Sequence, residues 1–509
     1  MNNDLATVIL AAGLGTRMKS RRGKVLHSVA GRPMIEYPVG LAKALGATRV
    51  VGVLGHQSDE VRGAITKRFG TSAIEVVLQK EQRGTGHAVA QAAPLLAPKS
   101  GATHDGLLLI LYGDVPLLTV QTLEKLRALA NEKTLAIVTS QAANPKGYGR
   151  IVRNAAGRVE RVVEEKDCSD AQRKITEVNA GIYCGPSKFI FAALEAITPN
   201  NAQGELYLTD VIERAARELN VATVDASTEE MMGVNDRVEL SKADRIMRLR
   251  LAEHLMREGV TVRDPERLYL EPGITVGADS ELGPGVELRG ATVIGSGCKI
   301  EAGVIITDCK VGDDVHIKPY CVLSESTVGS GSILGPWAHL RPGTVLESEV
   351  HIGNFVETKK AHVGRGSKAN HLSYLGDATI GAMVNVGCGT ITCNYDGFSK
   401  HQTVIEDGVF IGSDTQLVAP VRVGRDAVIG AGTTVYEDVP AGALAITRTK
   451  QVNKEGYSAK RRERLTRDRQ QDKQRGAAVL ASEFDHVDTK AEVHTGLQAT
   501  KRPKKDPPG

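Results

Sequence analysis

From Val276 onward, aliphatic residues recur every six positions: Val276, Leu282, Leu288, Ile294, Ile300 and Ile306, then after a one-residue slip Val311, Ile317 and Leu323. Two further runs keep the step, at Val328, Leu334, Leu340, Leu346 and Ile352, and at Ile405, Ile411, Leu417, Val423, Ile429 and Val435. Glycine often follows the aliphatic, as at Gly277, Gly295, Gly353, Gly412 and Gly430. A step of six fits neither a helix nor an ordinary alternating strand. It is the period of a chain wound into a parallel β-helix, where each short strand sends one aliphatic side chain into a stacked core and a small residue turns the corner. An irregular glycine-rich β-protein would have to keep the step through three long runs by accident. At about 18 residues per coil and about 4.8 Å between stacked strands, residues 274–447 predict a prism on the order of 45 Å long. The rhythm fails between about Thr358 and Thr403, a stretch that holds His371, Tyr374, Asn394 and Tyr395. Departures from a strict repeat are where functional loops lie.

Ahead of this repeat the chain is written differently. Up to about Val234, short apolar runs alternate with helical patterns, the signature of a parallel α/β sheet wound on both faces. Residues 7–12, 49–54, 74–78, 107–112 and 135–139 read as buried strands, and Leu123, Leu126 and Leu129 share one helix face. Residues 237–258 contain no proline or glycine, while Ala243, Met247, Leu251 and Leu255 recur every four positions, which predicts one long linking helix. The expected domains are 1–236, a linker helix 237–258, a β-helix 259–452, and a charged tail 453–509 that reads as disordered.

The strand 7–12 runs directly into G-L-G-T-R-M, so Gly13, Gly15, Thr16 and Arg17 can present backbone N–H groups and a guanidinium to an anion. The same string also serves as a plain tight turn, and Met18 in place of a third glycine argues against a dinucleotide site. Lys24 in K-V-L-H offers a second cation or is a surface lysine. Leu107 to Tyr112 ends in Gly113 and Asp114, an acid at the carboxyl end of a buried strand, which suits a metal ligand or a turn former. Gln79, Gln82, Gly84 and Thr85 supply amide and backbone groups that can read a base edge. In the second half, His371 has the right chemistry for a general base but could equally be structural. Arg341 and Lys359 are cations that suit a phosphorylated acceptor beside such a base.

Taken in order, L-A-A-G-L-G-T-R-M, K-V-L-H, Q-K-E-Q-R-G-T-G-H-A and Y-G-D-V-P-L resemble the sugar-nucleotide pyrophosphorylases. G-Y-G-R-I, V-V-E-E-K-D, E-V-N-A-G and G-V-N-D-R continue the match, and T-I-T-C-N-Y-D-G and G-S-D-T-Q-L-V-A-P-V extend it through the repeat. From Leu5 to about Lys454 the chain resembles the bifunctional bacterial family that joins N-acetylglucosamine-1-phosphate uridyltransferase to glucosamine-1-phosphate N-acetyltransferase.

That resemblance implies an N-terminal Rossmann-like nucleotidyltransferase domain followed by a left-handed β-helix, with UTP and acetyl-CoA as co-substrates and Mg2+ as cofactor. The product is UDP-N-acetylglucosamine, a precursor of peptidoglycan and lipopolysaccharide. Leu10, Ala11, Ala12, Gly13, Gly15, Arg17 and Lys24 would meet the nucleotide and its phosphates, Gln79, Gly84 and Thr85 the uracil, and Tyr112 and Gly113 the same pocket. Gly149, Glu164 and Asn179 would meet the sugar, and Asp114 and Asn235 the magnesium. His371 would be the base of acetyl transfer, with Arg341, Lys359, Tyr374, Asn385 and Lys400 on the acceptor. Cys388, Asn394, Tyr395, Ser413, Ala431 and Arg448 would line the acetyl-CoA site. The likeness further implies a homotrimer with acetyl sites shared between neighbours. The chain departs from the family at Gly23, usually proline, and at Cys388, usually alanine. A pyrophosphorylase whose β-helix is only a trimerisation module is the rival reading.

Composition agrees by exclusion. Aromatic residues make up 4% of the chain against 54 glycines, which favours small repetitive coils over sandwiches packed with rings. A net charge of +4 on 509 residues calls for no nucleic-acid partner. The seven cysteines form no C-x-x-C pair, Cys388 and Cys393 lack zinc-ligand spacing, and no run approaches a membrane span. The expected compartment is therefore the cytoplasm.

Overall fold

The apolar runs of the first half form strands at Leu5–Ala11, Arg49–Leu54, Glu75–Leu78, Leu107–Tyr112 and Thr134–Gln141 of the computed structural model, which describes residues 4–55, 57–96, 105–447 and 450–484. Their side chains alternate between two cores. Leu5, Ile9, Leu109 and Leu111 pack on one face, whereas Ala6, Val8, Leu108 and Ile110 pack on the other, as a strand covered on both sides requires. The main path of the sheet runs Asn220–Asp225, Thr134–Gln141, Glu177–Pro186, Leu107–Tyr112, Leu5–Ala11, Arg49–Leu54, Glu75–Leu78.

The sheet is mixed rather than parallel throughout. Glu177–Pro186 runs antiparallel to both of its long neighbours. A parallel neighbour needs a helical crossover, but the chain between Gln141 and Glu177 is spent on the hairpin Arg150–Arg153 and Val159–Val163 and a single helical turn, Asp170–Arg173. The register of Glu177–Pro186 breaks between Asn179 and Tyr183, and Gly181 there has φ 74°. A Cβ on Gly181 would lie 2.9 Å from the Tyr112 ring, so this irregular turn packs directly on the end of the Y-G-D strand.

The helix Arg237–Arg257 starts where the Asp236 carboxylate accepts the N–H groups of Val238 and Glu239, both at 2.9 Å. Ala243 packs with Val29, Met34, Leu117 and Val234 of the first half, while Ala252 and Leu255 join the core of the coils. One helix thus seals two cores.

Beyond it, each short strand pairs in parallel with the third one following, giving three long sheets of 11, 10 and 9 strands. One column of inward residues reads Leu282, Ile300, Ile317, Leu334, Ile352, Ala369, Val386, Ile411, Ile429. The column corrects the sequence reading in one respect, because coiling does not fail from Thr358 onward. Thr358 and Ala369 occupy inward positions in place of aliphatics, and steps of five replace some steps of six, as from Thr358 to Val363 and from Leu375 to Ile380. Thr358 is tolerated in the core because its hydroxyl lies 3.0 Å from that of Thr344, so neither buried oxygen is orphaned. The true interruption is residues 394–402, a loop inserted between the strands Ile391–Cys393 and Thr403–Ile405.

The corners turn through left-handed residues, which aspartate and glycine adopt readily. Along one corner bulky side chains take this conformation in four successive coils: Tyr320, Trp337, Phe355 and Leu372 stack one per coil with φ between 45° and 60°, and all are 50–58% exposed. The Tyr320 and Trp337 rings stack at 4.6 Å.

Residues up to Thr447 form one unit and the remainder a second. Within the tail 453–509 that the sequence reads as disordered, Tyr457–Phe484 forms a helix, and residues 485–509 lie outside the described residues. High polarity prompted that expectation, yet this stretch has no proline, one glycine, and mostly strong helix formers, with Glu463/Arg467 and Arg464/Asp468 four apart. It has no apolar face, and its described side chains are exposed.

Candidate active sites

The first site opens at the carboxyl ends of Leu5–Ala11 and Leu107–Tyr112, where adjacent parallel strands leave a crevice. A cavity of about 300 Å³ lies there. Leu10, Ala11, Ala12 and Gly13 form one wall, Gln79, Gly84 and Thr85 a second, and Lys24, Tyr112 and Asp114 line it as well. Gln82 also lines it, and sequence reasoning gave no role to the remaining residues, Val25, Ala88 and Glu205; the first two are apolar and ambiguous, and Glu205 arrives from a distant loop.

The turn after the first strand is shaped for close approach. Gly15 has φ 62°, and a Cβ there would stand 2.7 Å from the Cβ of Lys24, so a side chain at 15 would push the lysine away. Lys24 forms an ion pair with Asp114 and donates to Asn235 Oδ1 at 3.1 Å. Arg17 donates to the same Asn235 oxygen at 3.0 Å. Four candidates far apart in sequence therefore meet at one point. Asn235 is held by its own N–H donating to Glu239 Oε2 at 2.6 Å, a partner from the first turn of the long helix that sequence reasoning missed. Gly23 keeps φ −55° and ψ 142°, values a proline also takes, and the Gln57 carboxamide fills the space beside it. The departure from the family therefore leaves the backbone leading into Lys24 in a proline-like shape.

Gly84 opens the helix Thr85–Ala90, and Leu208 N–H donates to the Thr85 hydroxyl at 3.1 Å. Gln79 is buried and directs its amide to His87 Nδ1 at 3.1 Å, while Gln82 reaches back to the Ala12 carbonyl at 2.7 Å. Tyr112 divides this region from the second group of candidates. Burial raises the pKa of its phenol, and the Glu164 and Asp114 charges add to that.

Glu164 is also pushed upward, mainly by burial, and its Oε1 accepts from the Thr209 hydroxyl at 3.1 Å. Gly149 packs against Val162 and Glu164, and its carbonyl accepts the Asn179 N–H at 2.9 Å. The Asn179 side chain is engaged within its own strand, donating to Tyr183 Oη at 2.7 Å and accepting from Gly181 N–H at 3.1 Å. Gly113 sits behind the pocket, where a Cβ would crowd Ala11, Val25 and Ile35.

Among the described residues no group of three or more His, Cys, Asp or Glu could hold a metal. The donors at this point are the Asp114 carboxylate and the Asn235 carboxamide oxygen. Two hard oxygen donors suit a cation such as Mg2+, which keeps several waters and takes further oxygens from phosphates.

The second site lies on the coils. His371 ends the strand Lys368–His371, beside Asn354 of the preceding coil. Its Nδ1 lies 3.1 Å from Asn354 Oδ1, and a carboxamide oxygen there suits the tautomer that donates from Nδ1 and leaves Nε2 to accept a proton. Asn354 was not singled out in the sequence, although its place 17 residues earlier, one coil back, was the available signal. His371, Cys388, Ser413 and Ala431 occupy equivalent positions in successive coils and form one column along an edge of the prism. Asn385 lies in the coil after His371, paired with Lys368.

Across the corner Leu372–Ser373 the strand Tyr374–Gly376 crosses the adjoining face, with the Tyr374 hydroxyl lying over Gly376. At the far edge of that face are Arg341, Lys359 and Lys400. The neighbouring Lys400 amine, with the Arg341 charge, holds the Lys359 ammonium below its usual range. Cations crowded in this way favour a nearby anion. Arg341 donates to Glu357 Oε1 at 2.6 Å, a second partner sequence reasoning missed. The cations and Tyr374 are thus brought together, while His371 and its column stand at the other edge of the same face. Asn394 and Tyr395 belong to the inserted loop, and Arg448 lies outside the described residues.

Comparison with known proteins covers both sites. Residues 6–229 match the nucleotidyl transferase family, 266–369 a GMPPB C-terminal domain, and 402–437 the bacterial transferase hexapeptide repeats. Bifunctional protein GlmU of Pelobacter propionicus is 52% identical over 459 residues, spanning 89% of this chain and 98% of its own. Its counterpart in Trichlorobacter lovleyi is 52% identical over 463 residues, 90% and 99% of the two chains. That of Anaeromyxobacter sp. is 51% identical over 458 residues, 90% and 93%. Matches of this order cover about nine-tenths of the chain and nearly the whole of each relative, and this chain belongs to the GlmU family of bifunctional proteins.

Proposed function

We propose that the chain makes UDP-N-acetylglucosamine at two separate sites, acetylating glucosamine 1-phosphate with acetyl-CoA and then transferring uridylyl from UTP with release of pyrophosphate. The observation that supports this reading is two separate clusters of cations, Arg17 and Lys24 at the Asp114–Asn235 pair and Arg341, Lys359 and Lys400 on the coils.

At the first site the Gly13 to Arg17 turn and Lys24 receive the triphosphate, Gln79, Gly84 and Thr85 the uracil, and Gly149, Glu164 and Asn179 the sugar. The phosphate oxygen of the sugar attacks the α-phosphorus in line, the bond to the pyrophosphate oxygen breaks, and Arg17 and Lys24 neutralise the charge that moves onto the leaving group. Mg2+, held by Asp114 and Asn235, supplies further neutralisation of phosphate oxygens when bound.

At the second site the sugar amine attacks the thioester carbonyl. The Nε2 lone pair of His371 takes the amine proton, the carbon–sulfur bond breaks, and the thiolate of coenzyme A leaves and is protonated. Arg341, Lys359, Tyr374, Asn385 and Lys400 hold the acceptor, and Cys388, Asn394, Tyr395, Ser413, Ala431 and Arg448 the acetyl donor. The protein acts as a cytoplasmic homotrimer. The apolar corner Tyr320, Trp337, Phe355 and Leu372 supports this assembly, since four bulky residues in strained left-handed conformations and half exposed have reason to be covered by another copy. That corner ends beside His371, which fits an acetyl site completed by a neighbour.

Asp114→Ala is expected to abolish uridylyl transfer and spare acetyl transfer, with His371→Ala doing the reverse. Loss of both activities from either variant, in protein that remains folded, overturns the two-site assignment.

A further inference from the structure

The inserted loop carries residues from both substrate sets of acetyl transfer: Asn394 and Tyr395 on the acetyl-CoA side and Lys400 on the acceptor side. Nothing in the coil repeat fixes its shape, because the repeat stops at Cys393 and resumes at Thr403. The loop closes on itself instead. Asp396 Oδ1 accepts the N–H groups of Phe398 at 2.8 Å and Ser399 at 2.7 Å, and Asp396 Oδ2 lies 2.8 Å from His401 Nε2. His401 N–H donates to the Asn394 carbonyl at 2.8 Å, and Tyr395 bridges Lys400 in antiparallel fashion.

We infer that Asp396 and His401 are positioning residues for acetyl transfer, forming a clasp that sets Asn394, Tyr395 and Lys400 in place together. The inference rests on the proposed roles of those three residues. The clasp lies across the neck of the loop, so its loss frees Lys400 to move away from Lys359, whose like charge repels it. The Asn394 carboxamide, tied to Asp377, anchors one end, and Gln402, donating to the Thr379 hydroxyl at 2.8 Å, anchors the other. The N–H groups of Ser399 and Phe398 and the His401 ring hold the Asp396 carboxyl far below the usual carboxylate range, which shows how completely its oxygens are engaged. Both residues act here through Asn394, Tyr395 and Lys400, so the expected signature is in binding rather than in turnover.

The test uses the full chain. Asp396→Ala and His401→Ala should each raise KM for both acetyl-CoA and glucosamine 1-phosphate about tenfold, the equivalent of one lost hydrogen bond to a charged group, with kcat changed less than about threefold. Asp396→Asn keeps the oxygen that forms the turn and should stay within about threefold of the parent in both constants. Uridylyl transfer, measured on the same samples, reports intact folding. Unchanged KM values in both alanine variants, or a fall in kcat alone, overturn the clasp. Lys400→Ala separates the two ideas. If it leaves KM for glucosamine 1-phosphate unchanged, the loop is not at the site and the functional reading fails; if it raises that KM while Asp396→Ala does nothing, only the clasp fails.

Discussion

Gly84→Ala tests the nucleotide pocket most sharply. Gly84 has φ 107° and ψ 173°, a region essentially closed to residues with a side chain, and entering it costs about 1–3 kcal/mol. A Cβ there would also stand 2.5 Å from the Leu206 carbonyl oxygen and 2.8 Å from the Leu206 nitrogen. Neither atom can swing aside, since Leu206 N–H donates to Arg83 O at 2.8 Å and Leu206 O accepts Gly86 N–H at 2.8 Å. Relieving the overlap breaks at least one of these bonds, a further ~1 kcal/mol. The combined penalty is about 3 kcal/mol, or roughly a hundredfold. It falls on the loop that presents Gly84 and Thr85 to the cavity, so kcat/KM for UTP, followed by pyrophosphate release with N-acetylglucosamine 1-phosphate, should drop about a hundredfold while acetyl transfer is retained. Gly63→Ala is the matched control, because its Cβ meets nothing within 4 Å inside the helix Ser58–Phe69. A Gly84→Ala enzyme within about threefold of the parent refutes the reasoning.

Chelation by EDTA should stop uridylyl transfer and leave acetyl transfer running, with activity restored by added Mg2+; equal loss of both activities contradicts the placement of the metal at Asp114 and Asn235. Trp337→Glu, which puts a charge in the middle of the apolar corner, should convert trimers to monomers in light scattering and lower acetyl transfer far more than uridylyl transfer. Asp210 is pushed up to about 6 from 3.8, chiefly by burial and then by Glu213 and Asp167, so the folded chain binds more protons than the unfolded one between those values. Stability contributed by this group is therefore lost as pH rises through that window, and Asp210→Asn should raise the unfolding midpoint at pH 7.5 by more than at pH 4; an equal shift at both contradicts the burial argument.

Much of this architecture was legible because it is written in short-range rules. The six-residue step identified the coils, and the Y-G-D strand and the G-L-G-T-R-M turn led to the crevice where Lys24, Asp114, Arg17 and Asn235 meet. What escaped had a common physical cause, namely dependence on partners distant in sequence. Thr358 looked like a break in the repeat because its hydroxyl is satisfied only by Thr344, 14 residues earlier. Asn354 and Glu357 gained meaning only when coil length set them beside His371 and Arg341. The antiparallel strand Glu177–Pro186 was hidden by a hairpin of mixed polarity. In the described part of the tail, residues 457–484, charge density suggested disorder while residue-by-residue helix propensity prevailed.

The helix Arg237–Arg257 has a practical consequence for anyone wishing to separate the two enzymes. A cut at its start takes the lid formed by Ala243 off Val29 and Met34 and also removes Glu239 from Asn235, whereas a cut at its end strips Ala252 and Leu255 from the first coils. Each fragment needs its own copy of these 21 residues, and two soluble half-enzymes are most readily obtained by letting both genes encode them.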